Sequence, residues 1–238
     1  MAKERLDKII ASTGYWSRRE VKDLVRGGRV FVDGEAANHA EEKYDPLTSR
    51  IVVDGKVLHY RRNTYVMLHK PAGVLSATED GRGRTVLDLL PQELRKIGIF
   101  PVGRLDKDTE GLLLLTDDGA LAHDLLSPKK HVNKVYYARV DGCLQEDDCT
   151  AFAVGLSLGD GLVCLPAELK ILSSQEQSEC LVTLQEGKFH QVKRMLAARG
   201  KPVLYLKRIS MGPLVLDDSL LPGEFRFLTP EEERLLHR

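Results

Sequence analysis

The sequence predicts an α+β protein in two parts, with a small domain over residues 1–60, a linker at 61–64 and a larger domain over 65–238. Three observations predict it. Short, capped helical patterns followed by Asp-Gly hairpins fill the first part. The stretch Tyr60-Arg61-Arg62-Asn63-Thr64 is polar and carries neither helical nor strand periodicity. Beyond it, strands and helical segments surround one uninterrupted apolar run, Leu112 to Leu115, which reads as a buried strand.

In order, Leu6, Ile9 and Ile10 fall at helical spacing between Arg5 and Thr13, and Gly14 is a stop signal. Ser17 and Glu20 have capping-box spacing for a second helix through Val21, Leu24 and Val25, ending at Gly27-Gly28. Its exposed face carries Arg18, Arg19, Lys22 and Arg26. A strand from Arg29 to Val32 turns at Asp33-Gly34, and Ile51-Val52-Val53 turns at Asp54-Gly55 into Lys56-Val57-Leu58.

The second part opens with a strand, Tyr65 to His69, running into the turn Lys70-Pro71-Ala72-Gly73. Residues 76–84 are polar and glycine-containing, a mobile loop by composition. Thr85 caps a short helix that Pro91 ends. The charged loop Gly103-Arg104-Leu105-Asp106-Lys107-Asp108-Thr109-Glu110-Gly111 leads into the leucine strand and cannot share its burial, so it sits at the strand's edge. Ala120 to Leu126 is helical; Ser127 to His131 is a basic loop. Asn133 to Val140 alternates, with Lys134, Tyr136 and Ala138 on one face. A helix over 145–155, strands near Val163 to Leu172 and Cys180 to Leu184, a helix presenting Val192, Met195 and Leu196, and a strand from Val203 to Arg208 follow. Thr229-Pro230-Glu231-Glu232 starts a last helix.

Composition narrows the function classes. No apolar run approaches ~20 residues, so no transmembrane helix is expected, and the charged start lacks a signal peptide's apolar core. Four cysteines without a C-x-x-C pair read as reduced core residues of a cytoplasmic protein. No His or Cys cluster has metal-ligand spacing. Net charge is zero, but residues 1–30 hold eight Lys and Arg against four acids, and residues 186–208 hold seven against one. Two basic stretches in a neutral chain point to a surface that meets phosphate.

The stretch from Gly103 to Thr116 resembles the signature of pseudouridine synthases, G-R-L-D-x-x-T-x-G-L-L-L-L-T, at all fourteen positions. Lys70-Pro71-Ala72-Gly73 is similar to a K-P-x-G element of that family. Lys134-Val135-Tyr136 is similar to its K-x-Y motif, and Glu186 to Met195 to its E-G-[KR]-x-[HR]-Q-[IV]-[KR]-R-M motif. Residues 3–58, two short helices and then R-V-x-V-D-G, resemble the S4 RNA-binding domain. The motif order resembles the RsuA-type branch of the family, which implies an S4 domain followed by a mixed α/β catalytic domain with a largely antiparallel sheet.

The resemblance implies a site and a substrate. Uridine becomes pseudouridine when the base leaves C1′ through N1 and rejoins through C5, an isomerisation that calls for no cofactor. Asp106 is implied as the catalytic carboxylate, acting at C1′, at C6, or in glycal formation; the sequence leaves these routes open. Lys193 is implied as the cation that keeps it ionised, and Tyr136 as the ring covering the extruded base. Arg104 is implied to contact RNA, as are Lys188, His190, Gln191 and Arg194 in the motif that carries Lys193; Arg18, Arg19, Lys22 and Arg26 would bind phosphate from the first domain. The expected partner is ribosomal RNA, 16S rRNA or a small-subunit assembly intermediate, for a monomeric enzyme without membrane, metal or cofactor. A sister synthase acting on 23S rRNA would share every catalytic residue; a non-catalytic S4-type module would leave the coincidence of Asp106, Tyr136 and Lys193 unexplained.

Overall fold

The computed structural model describes residues 3–237; Met1, Ala2 and Arg238, at the ends of the two predicted domains, lie outside them. The chain divides into two compact units, one of residues 1–64 with 90–99, the other of residues 65–89 with 100–238.

The first unit contains β1 (Glu4–Arg5), α1 (Leu6–Ala11), α2 (Arg18–Arg26), β2 (Val30–Val32), β3 (Glu35–Ala36), β4 (Lys43–Tyr44), β5 (Ile51–Val53), β6 (Lys56–Val57) and α3 (Gln92–Lys96). The capping box at α2 forms as expected: the Glu20 amide donates to the Ser17 hydroxyl, and the Ser17 amide donates to the Glu20 carboxylate at 2.6 Å. At the two hairpins Asp33, Gly34, Asp54 and Gly55 all take positive φ, the conformation that an Asp-Gly pair accepts in a tight turn. Leu6, Ile9, Ile10, Val21, Leu24 and Val30 close one small core between the helices and the β3-β2-β5-β6 sheet.

Residues 90–99 depart from the sequence expectation. Pro91 does not simply end a helix: it is the N-cap of α3, which belongs to the amino-terminal unit. The reason is a close approach at Gly14, where a Cβ would meet the Glu93 carbonyl oxygen at 2.0 Å, and where φ is +77°. The helix needs that glycine, the Ile97 side chain also lies 3.0 Å from the Cβ position, and Leu94 of the same helix is buried.

The second unit is built on one nine-stranded sheet. Its strands are β7 (Tyr65–Lys70), β8 (Phe100–Pro101), β9 (Glu110–Thr116), β10 (Lys134–Asp141), β11 (Glu168–Ser173), β12 (Gln177–Leu184), β13 (Val203–Met211), β14 (Leu214–Val215) and β15 (Phe225–Phe227). The order is β11-β12-β10-β13-β9-β7-β15, with β14 on β13 and β8 on β9. Only the β13–β9 pairing is parallel, so the fold is α+β with a largely antiparallel sheet. Among the described residues four α-helices complete it, α4 (Gly119–Leu126), α5 (Glu146–Val154), α6 (Gln191–Ala198) and α7 (Pro230–Leu236), with short 3-10 turns at Val86–Leu89 and Pro128–Lys130.

The leucine strand lies where burial on both faces demands continuous apolar sequence. Leu112 and Leu114 pack with Met67, Val102, Leu121 and Leu125, while Leu113 and Leu115 are fully buried on the opposite face. Gly111 is fixed by its neighbour: a Cβ there would lie 2.2 Å from the Arg208 carbonyl oxygen. That absence of a side chain lets β13 run beside β9, with Arg208 opposite Gly111.

Candidate active site

The loop carrying Asp106 is held by backbone clamps from two directions. Lys70, at the end of β7, is fully buried, and its Nζ donates to the carbonyls of Thr109 (2.8 Å), Pro71 (3.0 Å) and Lys107 (3.2 Å). The Gly73 amide also donates to the Lys107 carbonyl, at 2.7 Å. Burial pushes the Lys70 amine down to about 8, against the pull of Asp108, Asp106 and Glu110. From the other side, the Ser76 hydroxyl donates to the Leu105 carbonyl at 2.9 Å and accepts from the Leu105 amide at 3.0 Å. The predicted mobile segment 76–84 is thus anchored at its first residue to the backbone next to Asp106. The Thr109 amide donates to the Asp106 carbonyl at 3.1 Å and tightens the turn.

Lys193, in the first turns of α6, stands between two carboxylates. Its Nζ lies 3.1 Å from Asp106 Oδ2 and 2.5 Å from Asp108 Oδ1. Burial works against its charge, but the hydrogen bonds it donates to Asp108 and Asp106 outweigh that cost, and its affinity for the proton is raised. The same hydrogen bond lowers the Asp108 carboxyl. His190 Nε2 lies 3.6 Å from Asp106 Oδ1, an electrostatic partner only when its ring is protonated. The family resemblance points to Lys193 as the partner of Asp106; in the structure Asp108 competes for the same ammonium.

Tyr136 completes the group. It points from β10 to the buried face, as the alternation predicted, and lines a 60 Å³ pocket with Asp106, Arg104, Thr109 and His190. Across the sheet it stands opposite Arg208, which in turn stands opposite Gly111. Arg208 is buried, with Nε donating to the Leu112 carbonyl at 2.8 Å. Burial, helped by Arg208, depresses the neighbouring Lys134 amine. A second cleft of 430 Å³ also reaches Asp106, lined by Leu75, Ser76 and Ala77 and by Phe189 and His190. Two larger cavities, of 730 and 660 Å³, contain none of Asp106, Tyr136 and Lys193 and carry no comparable chemistry.

The residues expected to contact RNA fall into two groups. Arg104 and His190 are exposed beside Asp106. The others in this unit are tied to carboxylates: Lys188 to Glu186 (3.0 Å) and Arg194 to Asp160 (2.5 Å). Gln191 is buried, accepting from the Lys188 amide at 3.0 Å and donating to Glu186 at 2.6 Å, so it braces the loop from within. In the amino-terminal unit Arg18 donates twice to the buried Asp7, at 2.9 and 3.0 Å, and Lys22 lies 2.7 Å from Glu41. Arg26 pairs with Asp23. Arg19 is exposed and has no ion pair among the described residues. Among those residues no His, Cys, Asp and Glu cluster is arranged for a metal ion, and no helix is long and apolar enough to cross a membrane.

A carboxylate paired to a lysine, on a clamped loop of a mixed sheet, shares a small pocket with a buried tyrosine. A family model described as RNA pseudouridylate synthase matches residues 64–198, and an S4 domain model matches residues 4–46. The chain is 48% identical over 234 residues to the Bacillus subtilis protein named uncharacterized RNA pseudouridine synthase YtzG, covering 98% of each. It is 40% identical to the Vibrio cholerae ribosomal small subunit pseudouridine synthase A, over 96% of this chain and 97% of the relative. A crystal structure of a pseudouridylate synthase superposes with a TM-score of 0.68 at 35% identity, covering 98% of this chain and 99% of that one. The chain belongs to the RNA pseudouridine synthase family, with an amino-terminal S4 domain, and is an isomerase of that class.

Proposed function

We propose that this chain converts a uridine of small-subunit ribosomal RNA to pseudouridine, with Asp106 as the catalytic carboxylate acting on a base extruded from its strand. The observation that carries the chemistry is the 3.1 Å contact between Asp106 and Lys193 beside Tyr136. Lys193 is the counter-charge of that carboxylate in a half-buried site. Asp106 acts on the sugar or ring while the N1–C1′ bond breaks, and the base turns under Tyr136 until C5 meets C1′. The C5 proton is then lost and N1, freed from C1′, gains one, so substrate and product have the same atoms and oxidation level. Arg104 and His190 face the strand at the mouth of the site. The ribosomal RNA assignment is supported by the small-subunit synthase that matches this chain over nearly its full length. On this reading the enzyme acts as a monomer in the cytoplasm, on 16S rRNA or an assembling small subunit.

Pseudouridine mapping in ribosomal RNA from cells with and without the gene tests the assignment. One small-subunit position loses its signal in the deletion and regains it with the wild-type gene. The Asp106→Asn protein keeps the side-chain size, removes the charge and restores nothing; in vitro its rate falls by at least ~10³-fold, the scale for losing an essential group. Loss of signal in large-subunit RNA alone refutes the substrate, and near-normal turnover by folded Asp106→Asn protein refutes the mechanism.

A further inference from the structure

Phe189 is 74% exposed, more than any other aromatic ring among the described residues. Scattered exposed apolar side chains are ordinary on protein surfaces, so exposure alone says little. Its address is what matters. One face of the ring lies on His190, with centroids 3.8 Å apart and planes at 18°. The same His190 reaches Asp106 with its Nε2, at 3.6 Å. Phe189 also lines the 430 Å³ cleft that opens onto Asp106, with Arg104 and Lys107 supplying positive charge along it.

The pair is set rigidly. His190 takes a left-handed backbone conformation, φ +50°, which non-glycine residues rarely adopt and which marks a site over-determined by its surroundings. Those surroundings are the Gln191 brace, which holds the Lys188 amide at 3.0 Å and Glu186 at 2.6 Å. A lone aromatic ring between cations does not make the contiguous apolar patch that a protein partner requires. It matches the way single-stranded nucleic acid is held, by base stacking on a ring within a positively charged groove.

We propose that Phe189, backed by His190, is a stacking platform for the nucleobase next to the uridine that enters the site. The platform recognises an unpaired neighbour by its π face, so it selects for a splayed strand rather than for a particular base. The inference rests on the uridine chemistry proposed at Asp106. Phe189 is then a specificity and positioning residue, outside the reacting atoms.

The test uses the full-length protein and a ribosomal RNA fragment that it modifies, with dissociation constants and single-turnover rates measured separately. Phe189→Ala weakens binding by roughly 5- to 150-fold, the ~1–3 kcal/mol of one base–aromatic stack, with a smaller change in the rate at saturating RNA. Phe189→Trp restores affinity, and Phe189→Leu, apolar but without a π face, does not. An abasic residue at one of the two positions flanking the uridine costs the wild type the same factor and leaves Phe189→Ala no weaker than before. Unchanged affinity in Phe189→Ala, full rescue by leucine, or an undiminished effect of Phe189→Ala on both abasic RNAs would overturn the platform while wild-type turnover persists. Absence of turnover by the wild type, by contrast, removes the uridine chemistry itself and the platform's substrate with it.

Discussion

Replacing Lys193 with methionine isolates the electrostatic claim, because methionine keeps much of the apolar stem and removes the charge. At 3.1 Å from Asp106, a unit positive charge stabilises the carboxylate by about 1 kcal/mol at water's dielectric and about 5 kcal/mol at an effective value of 20. Asp106 and Lys193 are 25% and 22% exposed, which places the pair between those limits. The sign follows from which form the lysine favours: it favours the anion, so its removal makes Asp106 easier to protonate and moves the acid limb of the rate to higher pH. Asp108 strengthens the effect, because two carboxylates that shared one ammonium then face each other without it. Single-turnover tritium release from C5-labelled uridine, across an acid-to-neutral pH series, reads the limb directly. Lys193→Arg keeps the charge and retains more activity at low pH. An acid limb of Lys193→Met that coincides with the wild type refutes the reasoning, and a limb displaced only once His190 is also changed to Gln would assign the role to the imidazole at 3.6 Å.

The remaining predictions concern stability and affinity. Lys70 loses its proton near 8 in the folded chain and near 10.4 when unfolded, so between those values the unfolded state binds more protons and stability rises with pH, by about 3 kcal/mol in all. Denaturant unfolding over that window shows the rise in the wild type and its absence in Lys70→Met, which is also less stable throughout because the Thr109 and Pro71 carbonyls lose their donor while Lys107 keeps the Gly73 amide. A slope common to both proteins assigns the rise to another group. In the amino-terminal unit, Arg19→Ala flattens the slope of log affinity for RNA against log salt by roughly 0.7–0.9, one phosphate contact. Lys22→Ala and Arg26→Ala do so by less, since each cation already faces a carboxylate. Arg18→Ala reads chiefly in thermal stability, because Asp7 is buried and loses one of its two arginines; an unchanged melting temperature with a flattened salt slope would reverse that assignment.

Much of the fold is legible in the sequence because its signals are local. The Ser17 and Thr229 capping boxes, the Asp-Gly turns and the alternation of Lys134 to Val140 each depend on residues a few positions apart. The leucine strand is legible for the same reason, since burial on both faces leaves one composition. What escapes is set by distant backbone. Nothing near Pro91 announces that the next turn of helix rests on Gly14, because the determinant is a missing Cβ far up the chain. Lys70 reads as an ordinary turn lysine, yet its ammonium lies inside the protein on the carbonyls of a loop that sequence places far away. The site itself is legible only through the family motifs; its geometry comes from the register that sets Tyr136, Arg208 and Gly111 side by side.

Charge shows the same division between what a sequence counts and what a fold permits. The basic residues of the two cationic stretches look equivalent in the sequence, and in the structure they are not. Arg18, Lys22, Arg26, Lys188, Arg194 and Arg199 each face a carboxylate, several of them from distant parts of the chain. A cation so engaged releases fewer counterions when phosphate arrives, because its own anion must first be displaced, and exposed pairs of this kind add little stability on their own. Arg19 in the amino-terminal unit and Arg104 and Lys107 beside Asp106 have no ion pair among the described residues and are exposed. The proposal for RNA contact therefore narrows from a broad basic surface to those few positions. Two of them line the cleft that Phe189 lines, so on the proposed reading phosphate attraction and base stacking converge on one strand beside Asp106.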